Sequence, residues 1–474
     1  MSTPEAGRAA VVCGPIRWSR AELDARAAEW SRSLAGLPAG ARVATLCRTG
    51  AEQIALFHAC ARSGLVLTPL SHRLRARELA GQLDDARPAV LLADPEHAAL
   101  ADAAALHSTH RPERRAMTPG PAAAEPEAAT DADRPVLLTY TSGSTGHPRG
   151  VALSARNCAA TNKALDGIAA ITTRDVVLQL LPQFHVAGWT VLPLLALERG
   201  ASLVVLPDFG PQDALDAIAE HGVTVVMGVP TQYRAMADAD GFAGADLGSL
   251  RLAISGGEEL PPRVLDAWLA RGVPLCQGYG LTEAGPNVLC VPPSDVDESA
   301  GWCGLPYPGV QASLEDDGEP VTGPGRGELV VTGDGVSAGY WGRPARTGPL
   351  RTGDLAERDE RGWYRILGRL DDVYVSGGEN VAPAEVVRVL TAHPDVAAAA
   401  IIDVPDERWG RAGIAFVEAA PNATPDPVEL RAYCRERLAT FKVPARVRVL
   451  DRLPRTGAGK VWREALRELT EGRS

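Results

Sequence analysis

The sequence predicts an α/β protein in two parts, a large N-terminal domain of layered α/β subdomains and a small α+β C-terminal domain. Three observations carry that prediction. The chain has 474 residues, too many for one ordinary core. Short apolar runs (RVATLC, AVLLAD, PVLLTY, DVVLQL, ASLVVLP, VTVVMG) alternate with helical stretches such as RARELAGQLDDA, PQDALDAIAEHG and PPRVLDAWLA. That alternation is the signature of parallel sheets covered by helices on both faces. Near 368–371, GRLDD opens a shorter pattern: VYVSGG, a helix on PAEVVRVL, a strand on VAAAAIID and a helix on PVELRAYCRERLATF. The expected domains are therefore 1–368 and 369–474.

The elements come in order. Ser19-Arg-Ala-Glu22 reads as a capping box, opening a helix that sets Leu23, Ala27, Trp30 and Leu34 on one face. The acidic, Ala/Pro-rich stretch PGPAAAEPEAATDADRP (119–135) reads as a surface linker between an N-terminal subdomain and the remainder of the chain. The run WTVLPLLALERGASLVVLP is interrupted by Glu198, Arg199 and Gly200, so it is not expected to span a membrane. The N-terminus has no apolar signal core.

Hydrophobic residues make up 45% and charged residues 23%, a globular composition with a net charge of −11. That balance argues against a nucleic-acid or membrane-surface partner, while leaving room for a small basic pocket. Eight scattered cysteines without a C-x-x-C pair read as reduced residues of a cytoplasmic protein. Of 48 basic residues only Lys163, Lys442 and Lys460 are lysine. One of these sits in a flexible glycine turn, RTGAGK (455–460).

LLTYTSGSTGHPRG (137–150) runs from an apolar strand into hydroxyl and glycine residues that can wrap a polyphosphate. Neither it nor RTGAGK is a Walker A loop, and alone it would pass for a surface loop. It is succeeded in order by LPQFHVAG (181–188), QGYGLTEAG (277–285), RTGD (351–354), GRLDD (368–372) and RTGAGK. This ordered set resembles the adenylate-forming superfamily of acyl- and aryl-CoA synthetases, luciferases and peptide-synthetase adenylation domains. The resemblance covers about residues 20 to 468, closest to fatty-acyl and o-succinylbenzoate CoA ligases.

The resemblance implies roles. Thr141, Ser142, Gly143, Ser144, Thr145, Gly146 and Arg149 would form the phosphate loop of an ATP site. Gly256 and Gly257 would lay backbone against adenine, Tyr279 would stack on it, and Gly280 and Thr282 would continue toward the phosphates. Glu283, with Thr145, would hold Mg²⁺, a hard cation suited to one or two carboxylates plus phosphate oxygens. Asp354, an acceptor-only carboxylate, would take the ribose hydroxyls, with Arg369 reaching the same ribose. Asp371 matches a hinge, and Gly368, Gly377 and Gly378 suit a mobile small domain. Gly377 and Gly378 lie in VSGGENVAP, the segment expected along a pantetheine tunnel.

Lys460 is expected to enter between an acyl carboxylate and the α-phosphate, where a compact ammonium fits better than a planar guanidinium. His185 is weighed as a general base and as a gate between acyl pocket and thiol tunnel. The gate is preferred, because a carboxylate substrate is already ionised at pH 7. Gly335-Val-Ser-Ala-Gly339 satisfies the nucleophile-elbow pattern of α/β hydrolases, but SAGYWGRP occupies the place where that elbow needs a helix. Arg149 stands where lysine is commoner in the family.

The implied activity is ATP- and Mg²⁺-dependent conversion of a carboxylic acid to an acyl-adenylate, then transfer to the thiol of CoA. A carrier-protein thiol as acceptor, or adenylation of a non-carboxylate oxyanion, is the alternative. The acyl pocket is expected from 185–189, 228–233, 255–258 and 278–284, with Val186, Trp189, Gly228 and Gly278 suiting an aryl or medium acyl group. Oligomeric state is open, a homodimer included.

Overall fold

The computed structural model describes residues 9–120, 131–141, 149–376, 379–406, 409–456 and 459–470. The capping box forms as the sequence predicts. Ser19 accepts from the Glu22 amide, and the helix Arg20–Ser33 buries Leu23, Ala27 and Trp30. Apolar side chains on one face of that helix reach the main core, with Leu34 just beyond it also buried.

Two sheets dominate the large N-terminal domain. One has six strands in the order 113–116, 90–93, 42–46, 66–69, 135–141 and 149–154. Its pairs are parallel except the last, which is antiparallel. The second has nine strands, and its centre runs Leu275–Tyr279, Leu252–Ser255, Val225–Gly228, Val176–Gln179 and Ser202–Val205, all parallel. Val176–Gln179, Ser202–Val205 and Val225–Gly228 coincide with apolar runs seen in the sequence, whereas Leu252–Ser255 and Leu275–Tyr279 were not among them. Both faces are covered, so nearly every residue in them is buried.

The sequence pattern did not reveal a five-stranded antiparallel sheet across 311–369. Its strands alternate buried and exposed residues, and charged outer positions hide the apolar ones (LRTGDLAER). It supplies Asp354 and Arg369 from paired strands. The smaller C-terminal part holds a two-stranded and a three-stranded sheet, with helices Pro383–Thr391 and Pro427–Arg437. The latter helix ends earlier than PVELRAYCRERLATF suggested, because Leu438 is extended and a separate turn covers Thr440–Lys442. All eight cysteines are buried and unpaired. No described helix is long and apolar enough to cross a membrane. The heart of the expected linker, 121–130, lies outside the described residues.

Candidate active site

The strands Val176–Gln179, Val225–Gly228, Leu252–Ser255 and Leu275–Tyr279 run parallel and end at one edge of the large sheet. The loops beyond them are LPQFH, VPTQ, GGEE and GLTEAG. Ligands of open α/β sheets gather in such a crevice beyond the carboxyl ends of the strands. Glycine is required where these loops turn most tightly. A Cβ on Gly280 would lie 1.3 Å from the Pro286 carbonyl oxygen, and one on Gly188 would lie 2.4 Å from the Pro182 oxygen.

Three of the expected nucleotide residues form one bonded group. The Tyr279 hydroxyl donates to Asp354 Oδ2 at 2.5 Å, and Arg369 Nη1 donates to Asp354 Oδ1 at 3.1 Å and to the Thr352 carbonyl at 2.8 Å. Burial raises the Asp354 carboxyl pKa, opposed by the Tyr279 bond and by the charges of Arg369 and Lys460. Burial, then the Asp354 charge, pushes the Tyr279 phenol well above its ordinary range. Each Asp354 oxygen keeps a lone pair beyond these bonds, so the carboxylate can still accept from vicinal hydroxyls.

Glu283 lies in the short turn Thr282–Ala284, which ends at Gly285 in the left-handed region. Its Oε1 accepts from the Tyr340 hydroxyl at 2.8 Å, and the Arg149 guanidinium sits over the Tyr340 ring at 5.2 Å. The sequence reading missed Tyr340, although it lies in SAGYWGRP, the stretch that argued against a hydrolase elbow at Gly335–Gly339. That stretch is no elbow: Ser337 is buried, its amide donates to the Glu283 carbonyl, and Tyr340 makes an isolated bridge with Val151. Among the described residues no group of three or more His, Cys, Asp or Glu could hold a metal. Glu283 therefore suits a cation that takes most of its ligands from phosphate and water, as Mg²⁺ does.

Thr141 and Arg149 pair at the ends of the antiparallel strands Pro135–Thr141 and Arg149–Ser154, where the Thr141 hydroxyl reaches the Arg149 carbonyl at 3.4 Å. Ser142, Gly143, Ser144, Thr145 and Gly146 lie outside the described residues, as do Gly377 and Gly378. Gly257 has φ 89°, and Gly256 packs close to the Gly278 carbonyl and the Met227 methyl.

His185 is half-buried beside Phe184, their ring centroids 4.7 Å apart. Burial, with the charges of Lys460 and Arg73, lowers its pKa to about 4. A base that weak is a poor proton acceptor at neutral pH, in line with the gate. Trp189 does not offer an aromatic pocket wall. It is 1% exposed, packs on Phe57 with centroids 5.2 Å apart, and donates to the Gln183 carbonyl at 2.5 Å.

Lys460 is exposed on a tight turn in which the Thr456 amide donates to the Lys460 carbonyl at 2.7 Å. Its charge acts on His185, Glu258 and Asp354, so the turn sits over the crevice. The sequence reading placed Lys460 there but not its neighbour Arg455, whose Nη1 lies 3.9 Å from Glu258 Oε1.

The AMP-binding enzyme family matches residues 2–341, and the AMP-binding enzyme C-terminal domain matches residues 385–460. The chain belongs to the AMP-binding enzyme family. It is similar to a feruloyl-CoA synthase from an Amycolatopsis species, 39% identical over 97% of this chain and 95% of the relative. It is also similar to a fatty acid–[acyl-carrier-protein] ligase, ScoC, from Streptomyces coeruleorubidus, 34% identical over 92% and 88%. Among solved structures, ATP-bound MatB from Rhodopseudomonas palustris superposes with a TM-score of 0.89 at 31% identity over 99% and 97%. An o-succinylbenzoate CoA synthetase from Bacillus subtilis, in complex with ATP and magnesium ion, gives 0.88 at 30% over 97% and 96%. These likenesses are those of the adenylate-forming superfamily that the ordered motifs implied.

Proposed function

We propose that this AMP-forming ligase activates an organic carboxylic acid as its acyl-adenylate and passes the acyl group to the thiol of CoA, with Tyr279, Asp354, Arg369, Glu283 and Lys460 as its working residues. The observation that carries the reading is the Asp354 group: a buried carboxylate bridged to Tyr279 and Arg369, under the Lys460 turn. In the first half-reaction the acid's carboxylate oxygen attacks the α-phosphorus of ATP, and the bond to pyrophosphate breaks. Asp354 and Arg369 hold the ribose, the Gly256–Gly257 backbone and Tyr279 frame the base, and Lys460 neutralises charge at the joining oxygens. Bound at Glu283 and the phosphates, Mg²⁺ supplies charge neutralisation on the departing pyrophosphate.

In the second half-reaction the thiol attacks the acyl carbonyl, releasing AMP. For this the part beyond Asp371, which lies in the exposed turn Leu370–Asp372, turns about that residue and carries Lys460 away. Phosphate contacts come from Thr141 to Gly146, with Arg149 at the start of the strand Arg149–Ser154, while Gly377 and Gly378 line the thiol's path. A reducing compartment, the cytoplasm, suits eight free cysteines.

The likeness to a ligase acting on an acyl-carrier protein supports a second acceptor, a carrier-protein thiol. One experiment tests both. ATP–pyrophosphate exchange is followed across aryl, medium-chain and long-chain acids, then CoA or a pantetheinylated carrier is added and the thioester is identified by mass. Exchange with at least one acid and a CoA adduct is the expected result; absence of exchange across the panel overturns the reading.

A further inference from the structure

The loop after Leu252–Ser255 carries two adjacent carboxylates, Glu258 and Glu259, immediately beyond the glycines proposed to frame the base. Its backbone is pinned to the neighbouring strand. Gln277 accepts from the Leu260 amide at 2.6 Å and donates to the Glu258 carbonyl at 3.2 Å. Its side chains point the other way in function, to cations of the C-terminal part. Glu259 Oε1 receives Arg388 Nε at 2.6 Å from the helix Pro383–Thr391, and Arg388 also reaches the Ile366 carbonyl at 3.4 Å. Glu258 faces Arg455 across 3.9 Å, on the turn that bears Lys460.

The rest of this junction is also polar. Arg234 and Arg263, from the helices Pro230–Ala237 and Pro262–Leu269, both donate to the Ala397 carbonyl at 3.1 Å. Arg234 lies 3.8 Å from Glu418. Two guanidinium groups on one carbonyl repel each other, and partly exposed ion pairs are individually weak. Such a junction is made to be broken and re-formed, and its direction is set by whichever contact is best formed. That contact is Arg388–Glu259, the shortest of the set, with both side chains less exposed than those of typical surface pairs.

We infer that Glu259 and Arg388 form a clasp between the base-framing loop and the C-terminal part, holding the Lys460 turn over the crevice for the first half-reaction and releasing it for the second. They are positioning residues, acting on the substrates through Lys460 and the loop. The inference rests on the proposed acid activation, and adds to it the contact that selects between the two arrangements.

The test compares wild type, Glu259→Gln, Arg388→Gln and the reversed pair Glu259→Arg with Arg388→Glu. Each is assayed for adenylation by pyrophosphate exchange and for thioester formation from a supplied acyl-adenylate. Either single variant is expected to slow adenylation roughly 5- to 20-fold while thioester formation is unchanged or faster, and the reversed pair should recover most of the loss. Equal loss of both half-reactions, or no change in either, overturns the clasp. If wild type activates no acid, the acid-activation reading fails separately, and the clasp is then read by hydrogen exchange. ATP should increase amide protection along Val396–Asp406 in wild type and not in Glu259→Gln, and equal protection in both overturns it.

Discussion

The two halves of the site are built differently. On the N-terminal sheets and their loops, Tyr279, Asp354 and Arg369 form one hydrogen-bonded group and Glu283 with Tyr340 another, and Asp354 and Tyr279 are largely enclosed. Lys460 sits on an exposed turn closed by backbone bonds, among them Thr456 N–H to the Lys460 carbonyl, and by the Arg455 guanidinium, whose Nη1 donates to the Gly459 carbonyl at 2.9 Å. The first half is preorganised, and the second is the one we propose to be delivered. A preorganised pocket serves a nucleotide that stays through both half-reactions, whereas a cation needed in only one is better carried on a part that can leave.

Removing the delivered half should give the largest effect. Lys460→Ala is expected to slow adenylation by about 10²- to 10³-fold, the scale of losing one preorganised transition-state donor. Thioester formation from a supplied acyl-adenylate should stay within about threefold of wild type. Equal loss of both half-reactions would show that the two halves are not separable.

Damaging the preorganised half should act on both steps. Asp354→Ala strands the buried Tyr279 hydroxyl and the Arg369 guanidinium, at a cost of about 1–3 kcal/mol for an unpaired buried group. Binding of ATP, and of the acyl-adenylate, should weaken roughly 10- to 100-fold by calorimetry. A change confined to adenylation would contradict the shared role assigned to this carboxylate.

Protons offer a third probe. His58 and His185 both have pKa values lowered to about 4, mainly by burial. Between that value and the ordinary 6.5 the unfolded chain binds more protons than the folded one, so stability rises with pH across this window. The contribution is full above about pH 6.5 and falls as pH drops toward 4. Urea midpoints measured from pH 4 to 7 should climb, and His58→Gln should flatten the climb. For adenylation, His185→Gln should leave the pH profile between 6 and 8 unchanged; a lost inflection there would restore His185 as a base.

A smaller loss is expected from Tyr340→Phe, which removes one hydrogen bond from Glu283. The Mg²⁺ concentration giving half-maximal exchange should rise about two- to fivefold, with the ATP affinity at saturating Mg²⁺ unchanged. If ATP affinity falls instead, Tyr340 serves the nucleotide directly.

The same division explains what was legible in the sequence. Parallel strands were readable because burial on both faces leaves unbroken apolar runs, as in VTVVMG and ASLVVLP. The 311–369 sheet was not, because one face is solvated and charges interrupt it. Asp354, Glu283 and Lys460 stand in short ordered motifs, so a resemblance could nominate them. Tyr340, Glu258 with Arg455, and Glu259 with Arg388 depend on pairings up to 197 positions apart, which leave no local pattern. Trp189 misled for the opposite reason: an aromatic beside a pocket motif looks like lining, yet here it packs on Phe57.

The smallest expected effect concerns Arg149, at the start of the strand Arg149–Ser154 and over the Tyr340 ring. A planar guanidinium can stack on that ring while keeping its charge toward the crevice. An ammonium can also lie over a ring face, but as a point charge with more rotamer freedom. Because Tyr340 is fixed by Glu283 from its other end, the ring should stay in place after Arg149→Lys. Adenylation is therefore expected to fall by less than about threefold, with no change in the Mg²⁺ requirement. A loss above tenfold would show that the guanidinium plane itself is read, either by the phosphates or by Tyr340. Repeating the substitution in Tyr340→Phe separates these: a penalty that persists belongs to the phosphates, and one that disappears belongs to the hydroxyl-anchored ring.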